Sequence, residues 1–190
     1  MNIFFFGGSF DPPHKAHKLI YKNCIELCEK FIFIPSSQTP GKCKPIVEGH
    51  LRIEMLKSII DKEDREKVII EPYEINSQIK PNYTINTIKY LKKMYKNSNF
   101  TMIIGGDQYE NMHDWYCYED IIQLVNIICY NRKNKNAQSN KKINFIDFDV
   151  NISSTEIRKS IANGQIQKIK NFLNKGTIDI INSNNLYNTI

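Results

Sequence analysis

Six short apolar runs punctuate the chain: Ile3 to Phe6, Phe31 to Ile34, Val68 to Ile70, Phe100 to Ile104, Val125 to Tyr130 and Asn144 to Phe148. They are shorter than a helix needs and rich in β-branched and aromatic residues, which predicts strands buried on both faces. Between them, His17 to Glu29, Gly49 to Ile60, Tyr83 to Tyr95 and Tyr118 to Leu124 carry apolar residues at helical spacing. Strands alternating with amphipathic helices imply right-handed βαβ units, hence a parallel sheet with helices on both faces. The expected fold is therefore α/β, a Rossmann-like open parallel sheet forming a single domain over residues 1–190. Asn131 to Lys142, NRKNKNAQSNKK, has no apolar period and reads as a polar connector. After the last strand, ISSTEIRKSIANG starts a helix, and Ile166 to Ile181 is helical in pieces.

Composition narrows the classes. A chain of 190 residues with 41% hydrophobic and 24% charged residues is long enough to bury a real core. The first apolar run is cut by Gly7 and Gly8, too early for a signal-peptide core, and no later run approaches a membrane span. A cytoplasmic protein with no membrane partner is expected. Five cysteines without a CxxC pair suggest neither a disulfide framework nor a zinc ribbon, and Cys24, Cys28 and Cys129 read as buried thiols. The net charge of +6 is spread over scattered lysines, which argues against nucleic acid and for a small anionic partner. Association into a homo-oligomer is left open.

Candidate chemistry starts at residues 7–18, GGSFDPPHKAHK, directly after the first strand. In an open parallel sheet, ligands bind beyond the carboxyl ends of the strands, and glycine there lets a ligand approach the backbone. Pro12 and Pro13 should hold Phe10 to Pro13 extended before a helix begins near His14 or Lys15. His14 and His17 then share one side of a helix start, whose free N–H groups and positive dipole end suit phosphate. Zinc is the rival reading for the pair, but His50 and His113 lack ligand-like spacing to it, and no protein metal site is expected.

Two more stretches share this character. In SSTEIR, Ser153 followed by Glu156 is a capping box, leaving further backbone N–H groups, hydroxyls and Arg158 for a polyphosphate. In IIGGDQYENMHDW, a strand ends at Gly105-Gly106-Asp107, a close backbone approach followed by a carboxylate suited to ribose hydroxyls. Trp115, the one tryptophan, stands beside Tyr116 in polar surroundings and offers a stacking surface for a flat ring.

Together these stretches resemble the nucleotidyltransferase superfamily whose first motif is GxFDPxHxxH and whose third is ISSTxIR-like. Within it the chain looks most like the nicotinate mononucleotide adenylyltransferase family, from Met1 to about Tyr187. PNYTINTI at 81–88 is similar to that family's PSYTxxTL element, and NSNNLY to its usual close. The family's PPHK or PPHR loop stands here as Thr39-Pro40-Gly41-Lys42, without the histidine; Lys42 keeps the cationic position, with Lys44 nearby. The resemblance implies adenylyl transfer from ATP to nicotinate mononucleotide, giving nicotinic acid adenine dinucleotide and pyrophosphate in NAD biosynthesis. It implies that His14 and His17 contact the ATP phosphates, with Gly7, Gly8, Ser9, Phe10 and Lys42 also binding ATP. Gly105 and Asp107 would hold the adenylate, and Ser154, Thr155 and Arg158 the leaving pyrophosphate end. Tyr83, Thr84, Trp115, Tyr116 and Arg132 would bind the mononucleotide, its carboxylate meeting backbone N–H groups after Tyr83-Thr84 and near Tyr116. Mg²⁺ is expected to arrive with ATP, bridging phosphates. The alternatives are a preference for nicotinamide mononucleotide or phosphopantetheine, or a nucleotide-binding module without turnover.

Overall fold

The computed structural model describes residues 1–131, 142–148 and 150–188. Each apolar run lies in a strand: β1 Asn2–Gly8, β2 Lys30–Pro35, β3 Val68–Ile70, β4 Asn99–Gly105, β5 Asn126–Asn131 and β6 Ile143–Asp147. All five pairings are parallel, in the order β3-β2-β1-β4-β5-β6. Side chains of β1 alternate between two cores, as a strand covered on both faces requires. Phe4 and Phe6 join Ile20 and Tyr21 of α1 (Lys15–Ile25) and Leu56 and Ile59 of α2 (Gly49–Ile59). Ile3 and Phe5 join Ile85, Ile88 and Leu91 of α4 (Thr84–Met94) and Ile121 of α6 (Tyr118–Leu124) on the other face. Burial of each such side chain is worth roughly 1.5–3 kcal/mol, which is why these short runs fix the sheet.

A third apolar cluster lies beside the sheet. It joins Met55 of α2 to Ile157 and Ile161 of α7 (Ser154–Ala162), Ile169 of α8 (Ile166–Ile169) and Ile181 of α9 (Lys175–Ser183). Ser58 and Thr177 bridge α2 and α9 through their hydroxyls at 2.9 Å. Tyr187, in the turns that follow, is a member of this cluster, so the end of the chain is fastened to the body.

The pattern missed two helices, α3 (Tyr73–Asn76) and α5 (Gly106–Glu110), because four or five residues complete too little of a 3.6-residue period. Helix α1 stops at Ile25, short of the expected Glu29, and Tyr83 is the N-cap of α4, one residue outside it. Phe10 is not extended: its φ of 47° lies in the left-handed region, which turns the loop sharply. Cys24, Cys28 and Cys129 are buried, and burial pushes the Cys28 and Cys129 thiols up to about 11 and about 12. Among the described residues no helix is long and apolar enough to cross a membrane.

Candidate active site

The strand order reverses between β1 and β4, opening a crevice at their carboxyl ends. A cavity of about 700 Å³ occupies it, with Phe5, Met102, Ile103 and Ile104 at its apolar floor and Gly7 and Gly8 on one wall. Nothing lies within 4 Å of where a Gly7 side chain would start, so that face of the backbone is open to a ligand. A Cβ at Gly105 would come within 2.7 Å of the Asp107 carboxylate, the far end of an exposed side chain. Asp107 is exposed, in the first turn of α5, and lines the cavity.

The ring-binding candidates belong to the same lining. Tyr83, Thr84, Trp115 and Tyr116 all line the cavity, and the Tyr83 and Tyr116 rings meet with centroids 4.9 Å apart. Trp115 is half-buried, with its body packed on the apolar cluster of this face, whereas Tyr116 is 61% exposed. Lys42 lines the cavity from the loop after β2; Lys44 is exposed and is not part of the lining. That geometry favours Lys42 as the cation of this loop. Arg132 lies outside the described residues.

Beyond Gly7 and Gly8, the first and third motifs are brought together at two helix starts. Arg158 Nη1 donates to the Asp11 carbonyl at 2.7 Å, and Ser154 Oγ donates to the Pro12 carbonyl at 2.9 Å, so the start of α7 is fastened to the loop that feeds α1. Ser154 has thereby used its hydroxyl proton, and phosphate contact from this residue falls to its backbone N–H. Arg158 Nη2 reaches Thr155 Oγ1 at 3.2 Å, which leaves the exposed Thr155 hydroxyl proton for a ligand. The expected cap is present: Ser153 Oγ accepts from the Glu156 N–H at 3.2 Å and donates to the Glu156 carboxylate at 2.7 Å.

His14 is the N-cap of α1, and its backbone N–H donates to His17 Nδ1 at 3.1 Å. An accepting Nδ1 is unprotonated, so the proton of the neutral ring sits on Nε2, which becomes a donor. The His17 ring stacks on His14 at 3.9 Å and meets the Phe10 ring edge at 4.9 Å. Burial, and then the neighbouring His14, hold His17 well below the ordinary histidine range, so at neutral pH it is a neutral, directed donor. Phe10 is 1% exposed and packs against Phe6, Phe33 and His17. Its side chain is out of a ligand's reach and backs His17, which leaves the expected ATP contact to the Phe10 backbone. Ser9 is exposed at the loop, its carbonyl engaged by Arg52 Nη1 at 2.6 Å.

The residue that fixes this loop escaped the sequence reading. Asp11 is 2% exposed; its Oδ1 accepts from Tyr187 Oη at 2.7 Å and its Oδ2 from the Ile46 N–H at 2.7 Å. Burial, and then the Asp11 charge, push the Tyr187 phenol upward, so it remains a donor. One carboxylate thus joins the phosphate loop, the Lys42 loop and the end of the chain, while its carbonyl orients Arg158. Glu74 was also missed. It is a buried carboxyl of α3 lining the same cavity, with Thr87 Oγ1 donating to its Oε1 at 2.6 Å.

The profile of the cytidylyltransferase-like family matches residues 5–160. A probable nicotinate-nucleotide adenylyltransferase of Aliarcobacter butzleri (strain RM4018) is 38% identical over 170 residues, 88% of this chain and 92% of the relative. A relative of the same name from Shouchella clausii (strain KSM-K16) is 33% identical over 186 residues, 96% of this chain and 94% of the relative. The solved structure of Plasmodium falciparum nicotinic acid mononucleotide adenylyltransferase complexed with NaAD superimposes with a TM-score of 0.83, covering 98% of this chain and 97% of its own. At 24% identity that likeness shows the fold. Identity at the level of the bacterial relatives, sustained over nearly the whole of both chains, places this protein in the cytidylyltransferase-like family, among the nicotinate-nucleotide adenylyltransferases.

Proposed function

We propose that the enzyme joins ATP and nicotinate mononucleotide, forming nicotinic acid adenine dinucleotide and pyrophosphate. The observation that carries this reading is the fastening of two helix starts, α1 and α7, around Asp11-Pro12 beside an apolar cavity with an aromatic rim. Phosphates belong at the helix starts, which offer free N–H groups, His17 Nε2–H, the Thr155 hydroxyl and Arg158. Adenosine belongs near Asp107, and the pyridine ring between Tyr83, Trp115 and Tyr116.

In the reaction an oxygen of the mononucleotide phosphate attacks the α-phosphorus of ATP. The new P–O bond forms as the bond from the α-phosphorus to the bridging oxygen breaks, and pyrophosphate leaves with that electron pair. The attacking phosphate is already an anion, so no protein nucleophile or strong base is required. Positioning and stabilisation of spread negative charge remain for the protein. His17 is a donor that follows charge at the α-phosphate, and Arg158 steadies the leaving end.

A magnesium ion carried by the nucleotide fits these residues. Both Asp11 oxygens are already bonded within the protein, and the described residues contain no cluster of three metal-ligating side chains. The ion would be held by phosphate oxygens and water, and it supplies charge neutralisation across the phosphates. His17, Arg158 and Lys42 bind the same phosphates from the protein side.

Trp115 is the single tryptophan, so its fluorescence reports on the ring site directly. Nicotinate mononucleotide should quench it in a saturable way, and ATP alone should leave it nearly unchanged. Equal quenching by the two ligands would remove Trp115 from the pyridine site.

A further inference from the structure

Glu74 belongs to no motif above, yet it lines the substrate cavity. Thr87 Oγ1 donates to its Oε1, and among the described residues no bond to its Oε2 is found. Glu74 lines the cavity, and with Oε1 taken by Thr87 its Oε2 is the oxygen left for a cavity ligand. Tyr83 and Thr84, where α4 begins, line the same cavity one turn before the Thr87 that bonds Glu74, and Tyr83 caps that helix without a side-chain bond. The Asn86 N–H is taken by the Tyr83 carbonyl at 2.9 Å, and the Thr84 and Ile85 N–H groups are left for an anion among the described residues.

We propose that Glu74 is a specificity-determining residue: its uncharged carboxyl donates from Oε2 to the pyridine carboxylate of the substrate, and its ionised form rejects that substrate. This rests on the placement of the pyridine ring proposed above. A neutral carboxyl offers one O–H donor; a carboxylate offers only acceptors, facing another carboxylate. The amide of nicotinamide mononucleotide has N–H donors, so ionised Glu74 accepts from it where it repels nicotinate.

Geometry places Glu74 at this switch, and its surroundings set the range. Burial pushes the carboxyl up to about 7, opposed in part by the bond from Thr87, which favours the charged form. Ionisable groups lining the same cavity are Lys42, Asp107, Asp114, Tyr83 and Tyr116, and Tyr73 stands beside Glu74 on α3; the displacement comes from burial, with the Thr87 bond opposing it. Glu74 is thus mostly neutral somewhat below neutral pH and mostly charged above it.

The test is the ratio of kcat/KM for nicotinate to that for nicotinamide mononucleotide, measured from about pH 6 to about pH 8.5. Titration of the shared phosphate group cancels in this ratio. The ratio should fall on the order of tenfold or more across the range, while in Glu74→Gln it should change less than about twofold. Thr87→Val should move the midpoint upward, because the bond that favours the charged form is gone. Should Glu74→Gln fail to fold, carbon-13 NMR of the parent protein keeps the proposal testable. A glutamate carboxyl titrating near 7 should shift to higher pH when nicotinate mononucleotide saturates the site, and an unmoved midpoint overturns the proposal. A flat ratio in a parent that turns over both mononucleotides also overturns it and leaves the reaction intact. Absence of turnover with both at every pH would instead sink the functional reading.

Discussion

Tyr187→Phe removes one oxygen at a place where a single hydrogen bond links fold to chemistry. The Tyr187 hydroxyl donates to Asp11 Oδ1 at 2.7 Å, and the two residues are 3% and 2% exposed. The phenylalanine ring keeps the packing of the third apolar cluster, so the change isolates the hydrogen bond. It leaves a buried carboxylate oxygen one donor short, because water has little access to replace it. A hydrogen bond to a charged group contributes about 1.5–3 kcal/mol. For a chain of this size each kcal/mol lowers Tm by ~2–4 °C, giving a fall of ~3–12 °C. Asp11 also fixes the carbonyl that orients Arg158, so kcat should fall on the order of tenfold as that arginine loses register, while KM for the mononucleotide holds. Tyr130→Phe is the control: its hydroxyl meets the Cys24 sulfur at 3.2 Å and the Asn23 side chain, neither of them a charged partner, and its loss should lower Tm less and leave kcat unchanged. Calorimetric melting and steady-state kinetics on the two variants decide the matter. If Tyr187→Phe keeps the parent Tm and kcat, Asp11 is not held by this bond. If only Tm falls, the end of the chain stabilises the fold without positioning Arg158.

Three further outcomes follow from the same geometry. His17→Ala should lower kcat on the order of 100-fold or more while affinity for a non-hydrolysable ATP analogue changes little, since the lost donor acts on charge that develops during transfer; a kcat within threefold of the parent would remove His17 from the mechanism. Arg158→Ala should weaken the same analogue on the order of tenfold by calorimetry, and unchanged affinity together with unchanged turnover would make SSTEIR only a helix cap. Glu74→Gln should be more stable than the parent at about pH 8.5, by ~3 kcal/mol, and should show no such gain near pH 4. The sign follows from a folded carboxyl raised from 4.5 to about 7: the folded state keeps its proton longer than the unfolded chain, so the parent loses stability as pH rises through that interval. Urea melts of the two proteins that shift in parallel at both pH values would contradict this.

The four central strands were legible because they are covered on both faces, and so short an apolar run can then be little else; the edge strands β3 and β6 are only partly buried. Helix α3 was not legible, since Tyr73–Asn76 completes barely one turn and presents no period. The two phosphate-binding helix starts could be read from Gly, Pro, His and Ser at fixed offsets, which act locally. Their union could not. Arg158 meets the Asp11 carbonyl across 147 positions of chain, and only the fold creates that contact. The place of the Phe10 ring was hidden for a related reason: the motif puts the residue in the nucleotide loop, and only the turn at its positive φ tucks the ring against His17. Glu74 reads as a solvated charge in EPYEIN, and its burial becomes visible only when Thr87, on the next helix, packs over it.

The most direct measurement mixes the purified protein with ATP, magnesium and nicotinate mononucleotide, and follows pyrophosphate release and the dinucleotide formed, beside an identical reaction with nicotinamide mononucleotide. Exchanging one carboxylate oxygen for NH₂ sets a donor against a donor and removes a charge-assisted bond, so near neutral pH kcat/KM should favour nicotinate by about ten- to several-hundredfold. Nicotinic acid adenine dinucleotide and pyrophosphate should appear in equal amounts. Equal efficiency with the two mononucleotides would contradict the assignment of the pyridine site, and no dinucleotide from either would contradict adenylyl transfer itself.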